Sequence, residues 1–347
     1  MASSVREIRV PAGAPLIAAD VGGTHARVGL VEGDARGFAV TRYHKYACAD
    51  YPDLATILDA FRREAAHPAA ARVALAIAGY VVDDAVVNVN LPWPVSLSQL
   101  RHALGVHDLA VVNDFEAIAH AIDHVGADDT RLLSGPAGAV SGPVLVVGPG
   151  TGLGAALRIP RAGVARGVFV LPTEAGQATL AADTDLEFDV LRELRRRGSR
   201  VLIEHVLSGT GLVNLDAALR RLRGAPERGL TPAQITAAAE AASDAIAVET
   251  VEVFCGWLGG VLGDLALLYG AQGGIYLAGG VLPQMRGLLA RSTFAARFLD
   301  KGALREALAR VPVHLVEHAQ LGVLGAASWY FARDADARQD AGSTGTA

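Results

Sequence analysis

Leu16-Ile-Ala-Ala-Asp-Val-Gly-Gly-Thr24, resuming as Arg27-Val-Gly-Leu-Val31, is the stretch from which the rest of the chain is read. An apolar strand runs into a glycine pair and continues as strand, so the glycines sit in a hairpin and not ahead of a helix. Without Cβ atoms, backbone N–H groups can approach phosphate oxygens; Thr24 adds a hydroxyl donor, and Asp20 can hold a hydrated divalent cation. Taken alone, the same residues also read as a hairpin turn that needs positive φ. The second half of the chain repeats the arrangement: Pro143–Val147 leads into Gly148-Pro-Gly-Thr-Gly-Leu-Gly154 and on into Ala155–Ile159. A dinucleotide fingerprint needs a helix N-terminus after its glycines, and here a strand follows both times. Two such hairpins, one per lobe, suit a triphosphate chain gripped from two sides. A third pair, Gly279–Gly280 between a strand and a helix, can let an adenosine lie against bare backbone.

Working outward, the pattern predicts an antiparallel meander of Pro15–Ala19, Arg27–Val31 and Phe38–Tyr43, then a helix over Leu54–Ala66. Strands follow at Arg72–Ala78, Ala85–Asn90 and Leu109–Asn113, the first and last without alternation and therefore buried on both faces. A helix runs from Asp114 to His124, and the Gly-, Asp- and Ser-rich stretch Ala127–Gly142 marks a passage between lobes. Past the second hairpin come strand Val168–Leu171 and helices at Thr184–Arg197, Thr210–Arg221, Thr231–Ala239 and Ser243–Tyr269. Strand Gly274–Ala278, another helix, strand Val311–Val316 and a closing helix Val323–Phe331 complete the pattern. The expected architecture is α/β with mixed sheets in two lobes. A small lobe covers 1–124 and is joined by a C-terminal helix at about 322–334; a large lobe covers 125–321; a disordered tail covers 335–347.

With 51% hydrophobic residues in 347, the chain can bury one large or two ordinary cores. A net charge of −5 and no basic run longer than Arg195–Arg197 give no electrostatic ground for nucleic acid or an anionic membrane as partner, so small molecules are expected. Phe254–Gly270 is the most apolar long window, yet Asp264 with Gly256, Gly259, Gly260 and Gly263 marks it as a packed core helix. Arg6, Glu7 and Arg9 interrupt the start, where an export signal needs an apolar stretch, which favours the cytoplasm. Two cysteines, Cys48 and Cys255, are too few for a disulfide framework, a Cys-rich zinc site or an iron–sulfur cluster. Lys45 and Lys301, the only lysines, lie in no Walker-type loop.

Val111-Val-Asn-Asp114 ends a strand with a carboxylate of the kind phosphoryl transfer uses to orient and deprotonate an attacking hydroxyl. The same Asn-Asp pair also reads as the cap of the following helix. Glu174 and Glu204 stand among apolar or Gly-rich neighbours; carboxylates and amides there are the usual readers of sugar hydroxyls, although each alone also reads as a surface acid. The pairs His120/His124 and His314/His318 lack the glutamate of a zinc-protease helix and are read as structural.

In order, Asp20-Val-Gly-Gly-Thr24, Asn90-Leu-Pro-Trp93, Asn113-Asp-Phe115, Gly148-Pro-Gly-Thr-Gly-Leu-Gly154, Glu174-Ala-Gly176, Glu204-His-Val-Leu-Ser-Gly209 and Leu277-Ala-Gly-Gly280 resemble the bacterial glucokinase family. The resemblance spans about Leu16 to Gly325. It implies the hexokinase/actin-like (ribonuclease H-like) fold with a cleft between its lobes, and ATP-dependent phosphorylation of glucose at the 6-hydroxyl with Mg²⁺, the first step of glycolysis. It also implies a homodimer. By position, Asp114 looks like the catalytic base, and Asn113, Glu174, Glu204, Gln177 and Asn90 look like sugar ligands. Ala19, Asp20, Val21, Gly22, Gly23 and Thr24, with Gly150, Thr151 and Gly152, look like the phosphate loops. Gly279 and Gly280 look like the adenosine contact, and Asp20 like the Mg²⁺ residue acting through water.

Two positions depart from the family pattern. The Glu-containing loop usually ends in Gly-Gly-His and here reads Ala175-Gly176-Gln177, and His25 stands where Asn is usual. Glutamine still donates and accepts but cannot become cationic, so sugar affinity is expected to depend little on histidine titration. Beside glucokinase, two other readings remain: a kinase for another hexose or N-acetylhexosamine, and a catalytically inactive sugar-binding regulator.

Overall fold

Strand β1 (Leu16–Val21) is apolar except at Asp20, and it forms the centre of the first sheet. The computed structural model describes residues 14–67, 71–87, 91–138, 140–161, 167–196, 198 and 200–343. Two units divide the chain, Met1–His124 with His318–Ala347, and Val125–Glu317.

In the first unit, β1 is followed by β2 (His25–Asp34), β3 (Gly37–Ala47) and β4 (Arg72–Ile77), then by β5 (Tyr80–Val82), β6 (Ala85–Val87), β7 (Val95–Ser96) and β8 (Asp108–Asn113). The main sheet has the order β3-β2-β1-β4-β8, antiparallel among the first three and parallel from β1 onward. Strands β5, β6 and β7 form a separate small sheet. Alternation along β1 and β4 separates two cores. Ile17, Ala19, Val21, Val73, Leu75 and Ile77 face the helices Leu54–Glu64 and Leu97–Leu104. On the opposite face Ala18, Ala74, Ala76 and Ala110 are small, which lets the helices Asp114–Ala121 and Leu321–Ser343 pack closely through Ala117, Val323, Ala326 and Tyr330. A Cβ on Gly325 would lie 2.1 Å from Ala117 O.

The second unit contains β9 (Thr130–Ser134), β10 (Val144–Pro149), β11 (Leu153–Pro160), β12 (Val168–Thr173), β13 (Gly274–Leu277) and β14 (Val313–Val316). Their order, β12-β11-β10-β13-β14-β9, repeats the plan of the first sheet: an antiparallel meander, two parallel strands and one added edge strand. The helices Asp185–Arg195, Gly209–Leu222, Pro232–Glu240 and Ala245–Tyr269 surround it. Among the described residues, Ala245–Tyr269 is the one helix long and apolar enough to cross a membrane, and 72% of its most apolar window is buried inside the unit. Asp244 caps it, accepting the N–H groups of Ile246 (2.9 Å) and Ala247 (3.3 Å) and pairing with Arg220 at 2.6 Å and Arg228 at 2.9 Å.

Several elements differ from the expectation. The tail over 335–347 is helical as far as Ser343, because its Ala, Arg and Gln residues continue a helix already anchored by Val323–Phe331; residues 344–347 lie outside the described set. The strand expected over Ala85–Asn90 ends at Val87, with Asn88–Asn90 outside the described residues. Strands β5, β7 and β9 and the helix Leu97–Leu104 were not anticipated. That helix starts on Ser96, whose hydroxyl accepts the Gln99 N–H, and ends at Gly105 in the left-handed region.

Candidate functional site

In the first unit, register places Val21, Ile77 and Asn113 level with one another, so the Gly22–Thr24 turn and Asn113–Asp114 share the carboxyl end of the sheet. Ligands of α/β sheets gather at that end. The turn is fixed by the Gly22 N–H donating to His25 O (3.0 Å) and the Cys48 N–H donating to Thr24 O (2.9 Å). The buried Cys48 thiol, pushed up by desolvation, donates to Gly22 O at 3.4 Å. Asp20 accepts from Arg27 Nη1 at 3.2 Å. Burial nevertheless outweighs the guanidinium and holds this carboxyl above the ordinary range. Burial, then Lys45 and Arg27, push His25 below the usual imidazole range.

The Asn113 side chain is the cap, accepting the N–H groups of Phe115 (2.9 Å) and Glu116 (3.1 Å). Asp114 occupies the first helical position, its Oδ1 accepting from the Phe115 N–H at 3.0 Å. Asn90 lies outside the described residues.

In the second unit, β10 and β11 hold the turn Gly150-Thr151-Gly152, closed by the Gly150 N–H to Gly152 O (2.8 Å). Glu174 opens the short turn Ala175–Gln177, and the Gln177 N–H donates to Glu174 O at 2.9 Å. Three residues from the loops of this unit, Gln177, Leu153 and Gly152, converge on Glu204. Its Oε1 accepts from Gln177 Nε2 at 2.8 Å, its Oε2 accepts from the Leu153 N–H at 3.4 Å, and a Cβ on Gly152 would lie 2.6 Å from that same Oε2. Behind it, the Ser208 hydroxyl donates to Glu204 O (2.7 Å), and the Gly209 N–H donates to Gly150 O (2.8 Å). Leu153 and Ser208 lie within the Gly148–Gly154 and Glu204–Gly209 segments, but their parts as backbone donor and helix cap are not marked in those motifs.

The glycines separate by need. Gly279, at φ +107° with its missing Cβ 2.6 Å from Pro149 O, is required by the fold, and Gly152 is required by Glu204. Gly22 and Gly23 do not have positive φ, which removes the hairpin-strain explanation of that pair. A Cβ on Gly22 would meet only His25 O at 3.7 Å, and on Gly150 or Gly280 nothing within 4 Å. The backbone is bare at these three positions although neither conformation nor packing asks for it.

No group of three or more His, Cys, Asp or Glu side chains able to hold a metal occurs among the described residues. His124 contacts Ser328 at 3.1 Å and His314 stacks on Tyr276. Asp20 lies directly before the Gly22–Thr24 turn, and Mg²⁺ keeps its waters and takes one or two carboxylates plus substrate phosphates.

Comparison with known proteins gives the family. The family described as Glucokinase matches residues 17–333. A glucokinase-like protein of Xylella fastidiosa is 47% identical over 323 residues, 92% of this chain and 95% of that one. A glucokinase of Aromatoleum aromaticum is 39% identical over 317 residues, 90% and 94% of the two chains. Among solved structures, the glucokinase of an Antarctic psychrotroph superposes with a TM-score of 0.78 at 34% identity, over 91% of this chain and 98% of that one. The chain belongs to the glucokinase family, sugar kinases of the hexokinase/actin-like fold.

Proposed function

We propose that the chain transfers the γ-phosphoryl group of ATP to the 6-hydroxyl of D-glucose. What carries the reading is the bare backbone at Gly22, Gly150 and Gly280, three glycines that the fold does not need and that lie in the three segments expected to meet a nucleotide. On this reading the Gly22 and Gly150 N–H groups hold the two turns in shape, other N–H groups of the turns take the phosphate oxygens, and backbone donors fixed in advance stabilise the charge that develops during transfer. Asn113, Glu174, Glu204 and Gln177 take sugar hydroxyls, each of which wants a donor and an acceptor. Asp114 receives the proton of the 6-hydroxyl as its oxygen attacks phosphorus in line. Mg²⁺, when bound, neutralises triphosphate charge, with Asp20 as the residue that holds it through water. The enzyme works in the cytoplasm as a homodimer at the entry to glycolysis.

The test is formation of glucose 6-phosphate from glucose, ATP and Mg²⁺, run beside mannose, fructose and N-acetylglucosamine. The expected result is highest kcat/KM for glucose; a preference for another sugar moves the reading to that kinase, and sugar binding without turnover moves it to a regulator. Asp114→Asn should retain glucose binding while turnover falls about 10²–10⁴-fold, the usual share of a general base. Turnover near that of the parent would remove Asp114 from the base role.

A further inference from the structure

We propose that Gln177, beyond the sugar contact assigned to it above, holds Glu204 against the second glycine turn and thereby links sugar occupancy to nucleotide affinity. The proposal rests on the sugar and nucleotide assignments above and concerns how the two ligands communicate. Its basis is a closed ring of contacts inside the second unit. Gln177 Nε2 donates to Glu204 Oε1 (2.8 Å) and the Leu153 N–H donates to Glu204 Oε2 (3.4 Å). Gly176, next to Gln177, presses against the same Leu153, where a Cβ would lie 2.4 Å from its carbonyl oxygen. The missing Cβ of Gly152 makes room for Glu204 Oε2, so the end of the phosphate turn is shaped around a sugar-side carboxylate. The backbone of residues 204–209 is tied to the same turn through Gly209 N–H and Gly150 O.

Each carboxylate oxygen accepts more than one donor, so Glu204 keeps acceptor capacity for a hydroxyl while both its oxygens are engaged. A sugar hydroxyl donating to Glu204 competes with or reinforces the bonds to Gln177 and Leu153, and Leu153 follows directly on Gly152. The sugar therefore acts on the position of the turn that receives phosphate, and linkage requires that nucleotide act equally on sugar affinity. Gln177 is the only member of the ring whose bond comes from a side-chain amide, which makes it the place to break the ring without altering the backbone.

The experiment is calorimetry of glucose binding with and without a non-hydrolysable ATP analogue, in the parent and in Gln177→Ala and Gln177→Glu. The parent should bind glucose more tightly with the analogue present, by a factor of roughly 5 to 100, the usual size of coupling between sites. In Gln177→Ala that factor should fall toward one, a change distinct from any loss of glucose affinity itself. In Gln177→Glu two carboxylates face each other, and repulsion raises the pKa of one of them. Coupling should be absent at pH 8 and return on acidification, as a protonated Glu regains the donor. A Gln177→Ala protein that binds glucose less tightly with its coupling factor unchanged would make Gln177 a simple ligand and overturn the proposal. So would a Gln177→Glu protein with pH-independent coupling. A parent that binds neither glucose nor the analogue would instead overturn the assigned function, and with it this inference.

Discussion

At Gly279 a methyl group would meet Pro149 O at 2.6 Å with the backbone at φ +107°, whereas at Gly150 and Gly280 it would meet nothing within 4 Å. Gly279→Ala should therefore destabilise the chain by about 1–3 kcal/mol through backbone strain alone. Gly150→Ala and Gly280→Ala should melt within about 0.5 kcal/mol of the parent, as substitutions without a steric partner do, and yet raise the KM for ATP. Melting curves beside ATP titrations check the contrast; a Gly150→Ala protein with unchanged KM would detach that glycine from phosphate. Sequence alone gave these glycines a common purpose, and it assigned Gly152 to phosphate. That Gly152 also yields space to Glu204, and that Gln177 grips the same carboxylate, could not be read from it. The three residues come from separate loops, and contacts across loops leave no periodicity or spacing behind. Asn113 was legible as a helix cap, while the Asp114 carboxylate accepts the same Phe115 N–H, a sharing that no spacing in the sequence displays.

Helices and strands were legible where their pattern was long. Burial on both faces along β4, alternation split between two cores along β1, and the apolar length of Ala245–Tyr269 all follow from the order of residues. Short edge elements were not: β9, Thr130–Ser134, is half exposed and pairs only with β14, so its five residues lack the apolar run that marks a central strand. The closing helix Leu321–Ser343 depends on small residues more than large ones. A Cβ on Gly325 would fall 2.1 Å from Ala117 O, a backbone atom of the helix that begins at Asp114, and one on Gly322 would fall 2.5 Å from Asp20 Cγ. Gly325→Ala must push the two helices apart, with an expected cost of about 1–3 kcal/mol by analogy with overpacked cores. Thermal unfolding measures it, and an unshifted midpoint would mean that the helices separate without loss.

The two sheets share one plan, a three-strand meander followed by parallel strands, and the repeated strand, glycine turn and strand were its visible trace in the sequence. The charge network around the largest helix sets how the whole chain meets acid. Asp244, hydrogen-bonded first of all by Arg220, ionises at about 2 in place of its ordinary 3.8. A carboxyl lowered in the folded state contributes stability that is complete above the unfolded value and fades as pH falls from about 4 toward 2. Asp244→Asn should thus cost roughly 2 kcal/mol at pH 7, as for a lost hydrogen bond to a charged partner, and the difference should close as pH falls toward 2. Urea unfolding of both proteins across that range tests this; a gap that persists to pH 2 would assign the stability to something other than ionisation.

The return of the last helix to the first sheet also sets an order of maturation. Val323, Ala326, Ala327 and Tyr330 cover a face formed by Leu16, Ala18, Ala74 and Ala76, residues synthesised about 250 to 310 positions earlier. During translation the strands and helices of Val125–Glu317 are complete before that cover exists, so the middle of the chain can fold while its beginning waits. A ribosome that stalls before Leu321 releases a protein with a finished second unit and an unsealed first one, and that open alanine-rich face is what chaperones and proteases would meet.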